Sequence, residues 1–169
     1  MRSFSLRIFI GLFGIFVLVS VAAAAGGKAP AFSLKDASGK SYALADYADK
    51  KAVLMTFWAS WCKPCLLEMP MMEKIYQQYK DQGFEILSIN TDTASGVPKA
   101  KQIVERKAVT YPVLYDTDSN VTGIYNQQGA FPYTVLINAA GEIVYTHKGF
   151  TPGDEKELDE KIRAAIGAK

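Results

Sequence analysis

Ala52-Val53-Leu54-Met55-Thr56-Phe57-Trp58, then Ala59-Ser60, then Trp61-Cys62-Lys63-Pro64-Cys65: the fold of this 169-residue chain turns on this stretch. The run Ala52 to Trp58 is almost wholly apolar, as a central strand covered on both faces requires. A helix is expected after the cysteines. Leu66, Met69, Met72, Tyr76 and Tyr79 recur at spacings of three and four, the pattern of one buried helical face. Those methionines and tyrosines read as core. Pro70 falls inside this helix, has no N–H for the Leu66 carbonyl, and is expected to kink it.

Cys62 and Cys65 are the only cysteines in the chain. A strand that delivers two close thiols to a helix N-terminus is the arrangement thiol-disulfide exchange needs. The thiolate is the nucleophile, and a helix N-terminus with a nearby cation lowers a cysteine's pKa. Cys62 is therefore the expected attacking sulfur, with Cys65 placed to resolve the mixed disulfide and leave a Cys62–Cys65 bond. Structural zinc is disfavoured, because zinc usually takes four ligands and the lone His147 has no third cysteine to join it. A purely structural disulfide is also weak, since so short a loop constrains the unfolded chain little. No metal and no cofactor are expected.

Outward from this centre, strand and helix signals alternate. Ala31 to Leu34 reads as an edge strand, Asp36 to Gly39 as a turn, Phe84 to Asn90 as a second interior strand and Lys99 to Lys107 as a helix. Val113 to Tyr115 is a short strand, with a small helix around Ser119 to Tyr125. Thr134 to Ile137 and Ile143 to His147 form a hairpin about Asn138-Ala139-Ala140-Gly141. A closing helix has Thr151 as N-cap and Pro152 at its first position, with Leu158, Ile162 and Ile166 on one face. The class is α/β, a mixed sheet with helices on both faces.

At the N-terminus, Arg2 and Arg7 precede an apolar stretch, Ile8 to Val21, and Ala22 to Ala25 offers an A-x-A-like cleavage site. Residues 1–25 are thus expected to be a signal peptide or, read through Ala25, an N-terminal membrane anchor. In both cases the basic residues stay cytoplasmic and the rest is exported. Gly26 to Pro30 is a tether, and residues 31–169 make one domain of ordinary size. The formal net charge of +2 rests on Arg2 and Arg7, so the exported part is neutral and nothing suggests nucleic acid.

Phe57 to Cys65 with Glu68-Met69-Pro70 resembles the active-site signature of exported thioredoxin-like proteins of the TlpA and ResA type. The resemblance runs from Ala29-Pro30-Ala31-Phe32-Ser33-Leu34, through Tyr111-Pro112-Val113-Leu114-Tyr115-Asp116, to Phe131-Pro132-Tyr133-Thr134-Val135-Leu136-Ile137-Asn138 and Gly141-Glu142-Ile143-Val144. It implies a thioredoxin fold, Cys62 as nucleophile, Cys65 as resolving thiol and Pro132 as a cis-proline beside the sulfurs. Trp61, Lys63, Pro64, Phe131 and Pro132 then form the substrate-binding surface, where a client peptide could add partly as a strand.

Glu68 lies three residues after Cys65, on the same helical face, where a carboxylate could relay a proton to or from the resolving thiol. Cytosolic thioredoxins usually assign that role to a buried aspartate on the preceding strand; the matching position here is Thr56, which cannot titrate. The competing reading of Glu68 is a solvated acid favoured by the helix dipole, and under either reading its loss is expected to change stability little. Lys63 replaces the glycine common between such cysteines, and its charge either favours the Cys62 thiolate or is merely solvated. Phe131 is bulkier than the family usually places before its cis-proline. His147, outside the Pro-His pair of strong oxidases, reads as a packed or surface histidine.

The expected activity is extracytoplasmic reduction of disulfides in client proteins, in cytochrome c maturation or copper-site assembly. A membrane thiol-disulfide donor would recharge the pair. Oxidase or isomerase activity is the alternative. A peroxiredoxin would need a Thr-x-x-Cys context that the chain lacks, and a copper-binding module usually has three residues between its cysteines.

Overall fold

The structure, a computed structural model, describes residues 26–168, so the segment at 1–25 lies outside the described residues. Strand β3 is Ala52–Trp58, buried along its whole length. Its apolar side chains point alternately to two faces, which is why both are covered. Around it the elements run β1 Ser33–Asp36, β2 Ser41–Ala43, β3, α1 Lys63–Tyr79, β4 Phe84–Asn90, α2 Val97–Lys107, β5 Val113–Tyr115, α3 Asn120–Tyr125, β6 Tyr133–Asn138, β7 Ile143–Lys148 and α4 Asp154–Ile166. The described strands form one mixed sheet in the order β2-β1-β5-β4-β3-β6-β7. β3 pairs in parallel with β4, and β4 with β5, while β6 runs antiparallel to β3 and β7 antiparallel to β6.

Two cores sandwich the sheet. On one face Leu54, Ile86 and Leu136 pack against Met72, Ile75 and Tyr79 of α1 and against Leu158, Ile162 and Ile166 of α4. On the other, Val53, Met55, Phe57, Leu87, Ile89 and Val135 pack against Val121 and Tyr125 around α3, with Phe32. A third cluster on the α1 face, Trp58, Ala59, Cys62, Cys65, Met69, Ala100 and Ile103, brings α2 to the cysteine end of β3.

Several expectations shift. The first strand starts at Ser33 and ends at Asp36, and Ser41–Ala43 pairs with it as a strand the sequence did not suggest. The buried stripe of α1 holds Cys65, Glu68, Met69, Met72, Ile75 and Tyr79, leaving Leu66 and Tyr76 only part-buried. The helix continues through Pro70, which is exposed, as solvent can satisfy the carbonyl a proline leaves unpaired. The closing helix is capped at Gly153, φ 113°, and not at Thr151. Thr151 and Pro152 sit in the preceding turn, where the Thr151 N–H donates to Asp154 Oδ2 at 2.7 Å.

Gly26 to Pro30 is held against the β6–β7 hairpin: the Ile143 N–H donates to the Gly27 carbonyl and the Ala29 N–H to that of Gly141. Lys28 lies 3.6 Å from Glu142.

Candidate active site

β3 ends at Trp58, and the chain turns through Ala59-Ser60-Trp61 so that Cys62 becomes the N-cap of α1. Cys62 Sγ accepts from the Cys65 N–H at 3.3 Å, and Pro64 needs no hydrogen bond in the first turn. Cys62 and Cys65 are joined by a disulfide, with Cα atoms 5.3 Å apart. This is the oxidised form. Both sulfurs are largely sheltered, Cys62 at 5% exposure and Cys65 at 1%, so Cys62 is the more accessible. On reduction, the unpaired N–H groups and dipole of the α1 N-terminus would favour the thiolate at Cys62.

Beside the disulfide the Phe131–Pro132 peptide is cis, as the resemblance implies. Trp61, 65% exposed, meets the Phe131 ring edge-on with centroids 5.7 Å apart. Leu67, 66% exposed on the next turn of α1, adds apolar surface that the sequence reading did not single out. Lys63 and Pro64 are exposed, and Pro132 is buried. The surface near the sulfurs is therefore aromatic and apolar with one lysine.

Glu68 corrects the solvated reading: it is only 4% exposed. Its Oε2 accepts from Thr56 Oγ1 at 3.2 Å. The helix places it and Cys65 on one buried face, and the residue that replaces the strand acid is the one that holds it. Burial pushes its carboxyl up to about 8, the Thr56 hydroxyl opposes the rise, and the charge of Asp154 adds to it. Such a group exchanges a proton near neutral pH.

Asp92 escaped the sequence reading. It is buried beyond the end of β4, where Oδ2 accepts from the Ser60 N–H at 2.9 Å and from Asn90 Nδ2 at 2.9 Å, and Oδ1 from Ser60 Oγ at 3.2 Å. These bonds fasten the turn before the cysteines to β4. A Cβ on Gly96 would come within 2.7 Å of Asp92 Cβ, so the close approach of α2 requires glycine there. The available signal was Asn90-Thr91-Asp92, three polar residues directly after an apolar strand in an α/β sheet. Asp92→Ala leaves the buried Ser60 N–H unsatisfied and is expected to lower stability by about 1–3 kcal/mol in urea unfolding. An unchanged midpoint would refute this role.

A disulfide at the N-terminus of a helix that leaves the central strand of a mixed sheet, beside a cis-proline, defines a thioredoxin-fold thiol-disulfide oxidoreductase. Residues 24–162 match the redoxin family. The chain is 41% identical to the thiol-disulfide oxidoreductase ResA of Geobacillus kaustophilus over 76% of its own length and 71% of the relative's. Its fold superposes on a candidate thiol:disulfide interchange protein DsbE from Chlorobium tepidum with TM-score 0.77 and 32% identity, covering 84% of this chain and 97% of the other. A candidate protein disulfide isomerase from Bacteroides thetaiotaomicron gives TM-score 0.76 and 29% identity over 84% and 89%. The chain belongs to the redoxin family and, within it, is a thiol-disulfide oxidoreductase similar to ResA.

Proposed function

We propose that the protein reduces disulfides of client proteins in an extracytoplasmic compartment, reached by way of residues 1–25 as export signal or anchor. The observation that carries this reading is the Cys62–Cys65 disulfide at the α1 N-terminus beside the cis Phe131–Pro132 peptide, and the burial of Glu68 on the same helical face as Cys65 supports it. The Cys62 thiolate attacks the client disulfide, forms a mixed disulfide and releases one client thiol. Where Glu68 is ionised, Cys65 then gives its proton to that carboxylate and attacks Cys62 Sγ. The second client thiolate leaves and is protonated, so two electrons pass to the client and the Cys62–Cys65 disulfide remains. A donor dithiol of a membrane thiol carrier runs the same exchange in reverse.

The client rests on Trp61, Lys63, Pro64 and Phe131, with Leu67 at the margin, and the buried cis-Pro132 sets the backbone at Phe131. Clients of the Cys-x-x-Cys kind, such as apocytochromes c or copper-site assembly proteins, present the required pair of sulfurs. The spacer lacks the Pro-His pair of strong oxidases, and the resemblance to the ResA type favours the reducing direction, while any stabilisation of the Cys62 thiolate by Lys63 pulls the potential the other way. Redox titration against glutathione is expected to give a potential nearer thioredoxin's, about −270 mV, than the strong oxidase value, about −120 mV. A value at the oxidising end would instead support an oxidase or isomerase.

A further inference from the structure

A line of polar residues crosses the α1 face of the sheet among apolar rows. Thr56 on β3 pairs with Thr134 on β6, and Thr134 with His147 on β7. Directly paired residues share a face, so Thr56, Thr134 and His147 form a polar row beside the Leu54–Leu136–Tyr145 row. The row continues through Ser88 on β4, and helix residues meet it at two points: Glu68 of α1 accepts from Thr56, and Asp154, the first residue of α4, lies 3.1 Å from His147 Nε2. Glu68, Thr134, His147 and Asp154 line one narrow cleft of about 10 Å3, closed on its apolar side by Met71 and Phe150. That volume suits roughly a single water. At one end Glu68 is sealed; at the other, the side chains of His147 and Asp154 are each 30% exposed.

We propose that this row is the proton exit of the active site, with His147 exchanging protons between the cleft and solvent on behalf of Glu68. The inference rests on the role given to Glu68 above and extends it. A docked client covers Trp61 and Phe131, and the sulfurs beneath are already sheltered. The proton that Cys65 gives to Glu68 then has no way out at the front. Behind it, the cleft leads under α1 and α4 to the chain's one imidazole, whose ring offers one nitrogen that donates and one that accepts. Thr134 suits the middle of the row, because a hydroxyl donates and accepts at once. His147 touches no reacting atom and is a positioning residue that acts through Glu68.

The groups facing the row come from several elements. Asp154 faces His147 from α4, and Tyr145 stacks beside it on β7 with ring centroids 6.2 Å apart. Glu157 and Lys161 of α4 lie near Tyr145, with Lys161 Nζ 5.9 Å from its ring. Tyr111 has a buried hydroxyl without a hydrogen-bond partner, and burial and the charge of Glu68 keep it protonated.

The test uses the reduced protein in single-turnover reactions with insulin, which covers the front, and with hydroxyethyl disulfide, which leaves it open. His147→Gln is expected to slow insulin reduction at pH 8 by about tenfold, less than the ~100-fold of losing an acid-base group itself, and to change the small-disulfide rate by less than about twofold. Free imidazole should restore the insulin rate of His147→Ala, which a merely structural histidine would not permit. The relay is overturned if both His147 variants reduce insulin at the wild-type rate while Glu68→Gln is slow. It is equally overturned if they slow both probes alike and imidazole restores neither. Should Glu68→Gln itself keep the wild-type rate with both probes, the role of Glu68 falls, and the relay with it.

Discussion

Cys62→Ser is expected to abolish disulfide reduction, by about a thousandfold or more, as removal of a nucleophile does. Cys65→Ser should stop turnover as completely but by another route, because attack still occurs and the mixed disulfide has no partner to resolve it. The two variants separate on a non-reducing gel. Cys65→Ser accumulates high-mass species that collapse with dithiothreitol, whereas Cys62→Ser shows almost none. The structural basis is the difference in position: Cys62 caps α1 at the surface edge of the site, and Cys65 lies one turn deeper at 1% exposure. Equal trapping by both variants would contradict the assignment of roles, and the proteins trapped by Cys65→Ser would identify the clients.

Glu68→Gln is expected to change the pH dependence of both stability and rate. The folded carboxyl titrates at about 8, against an ordinary value of 4.5. Between those values the folded state holds a proton that the unfolded state has lost, so the native form loses stability as pH rises through the interval. Each unit of difference is worth about 1.4 kcal/mol, and the total is a few kcal/mol by pH 8. Thermal unfolding of the oxidised wild type should therefore show a decline from pH 5 to pH 8 that Glu68→Gln lacks, leaving the variant relatively more stable at the alkaline end. The same variant should reduce client disulfides about a hundredfold more slowly at pH 8 and above, where the wild-type carboxyl is ionised and can take the Cys65 proton, and the gap should narrow as pH falls. Parallel stability curves, with unchanged rates, would refute both statements.

The β3–α1 unit was legible because its signals are local: an apolar run, a pair of cysteines and a helical period lie within thirty residues of one another. The cis state of Pro132 was legible only through family resemblance. β2 was not, since Ser41-Tyr42-Ala43 is too short and too polar to carry a strand pattern and owes its state to pairing with β1. The start of α4 was misplaced because Thr151-Pro152 is a strong local start signal that the turn at Gly153 overrides. The burial of Glu68 was hidden for a different reason. A carboxylate scores as polar in any periodicity, and only the Thr56 hydroxyl and the cover of α4 make its interior place tolerable. Likewise Ser60 meets Asp92, and His147 meets Asp154, through the fold and not through any spacing along the chain.

The hold of Gly27 and Ala29 on the β6–β7 hairpin fixes where a mooring line would attach. That hairpin stands beside Ala52, at the opposite end of β3 from Trp58 and the cysteines. A seven-residue strand separates the two ends by roughly 20 Å. Residues 27–29 therefore join the domain at the pole far from the cysteines. The cysteines at the other pole are left clear of that attachment, so a strand's length separates where the chain enters the domain from where its sulfurs react.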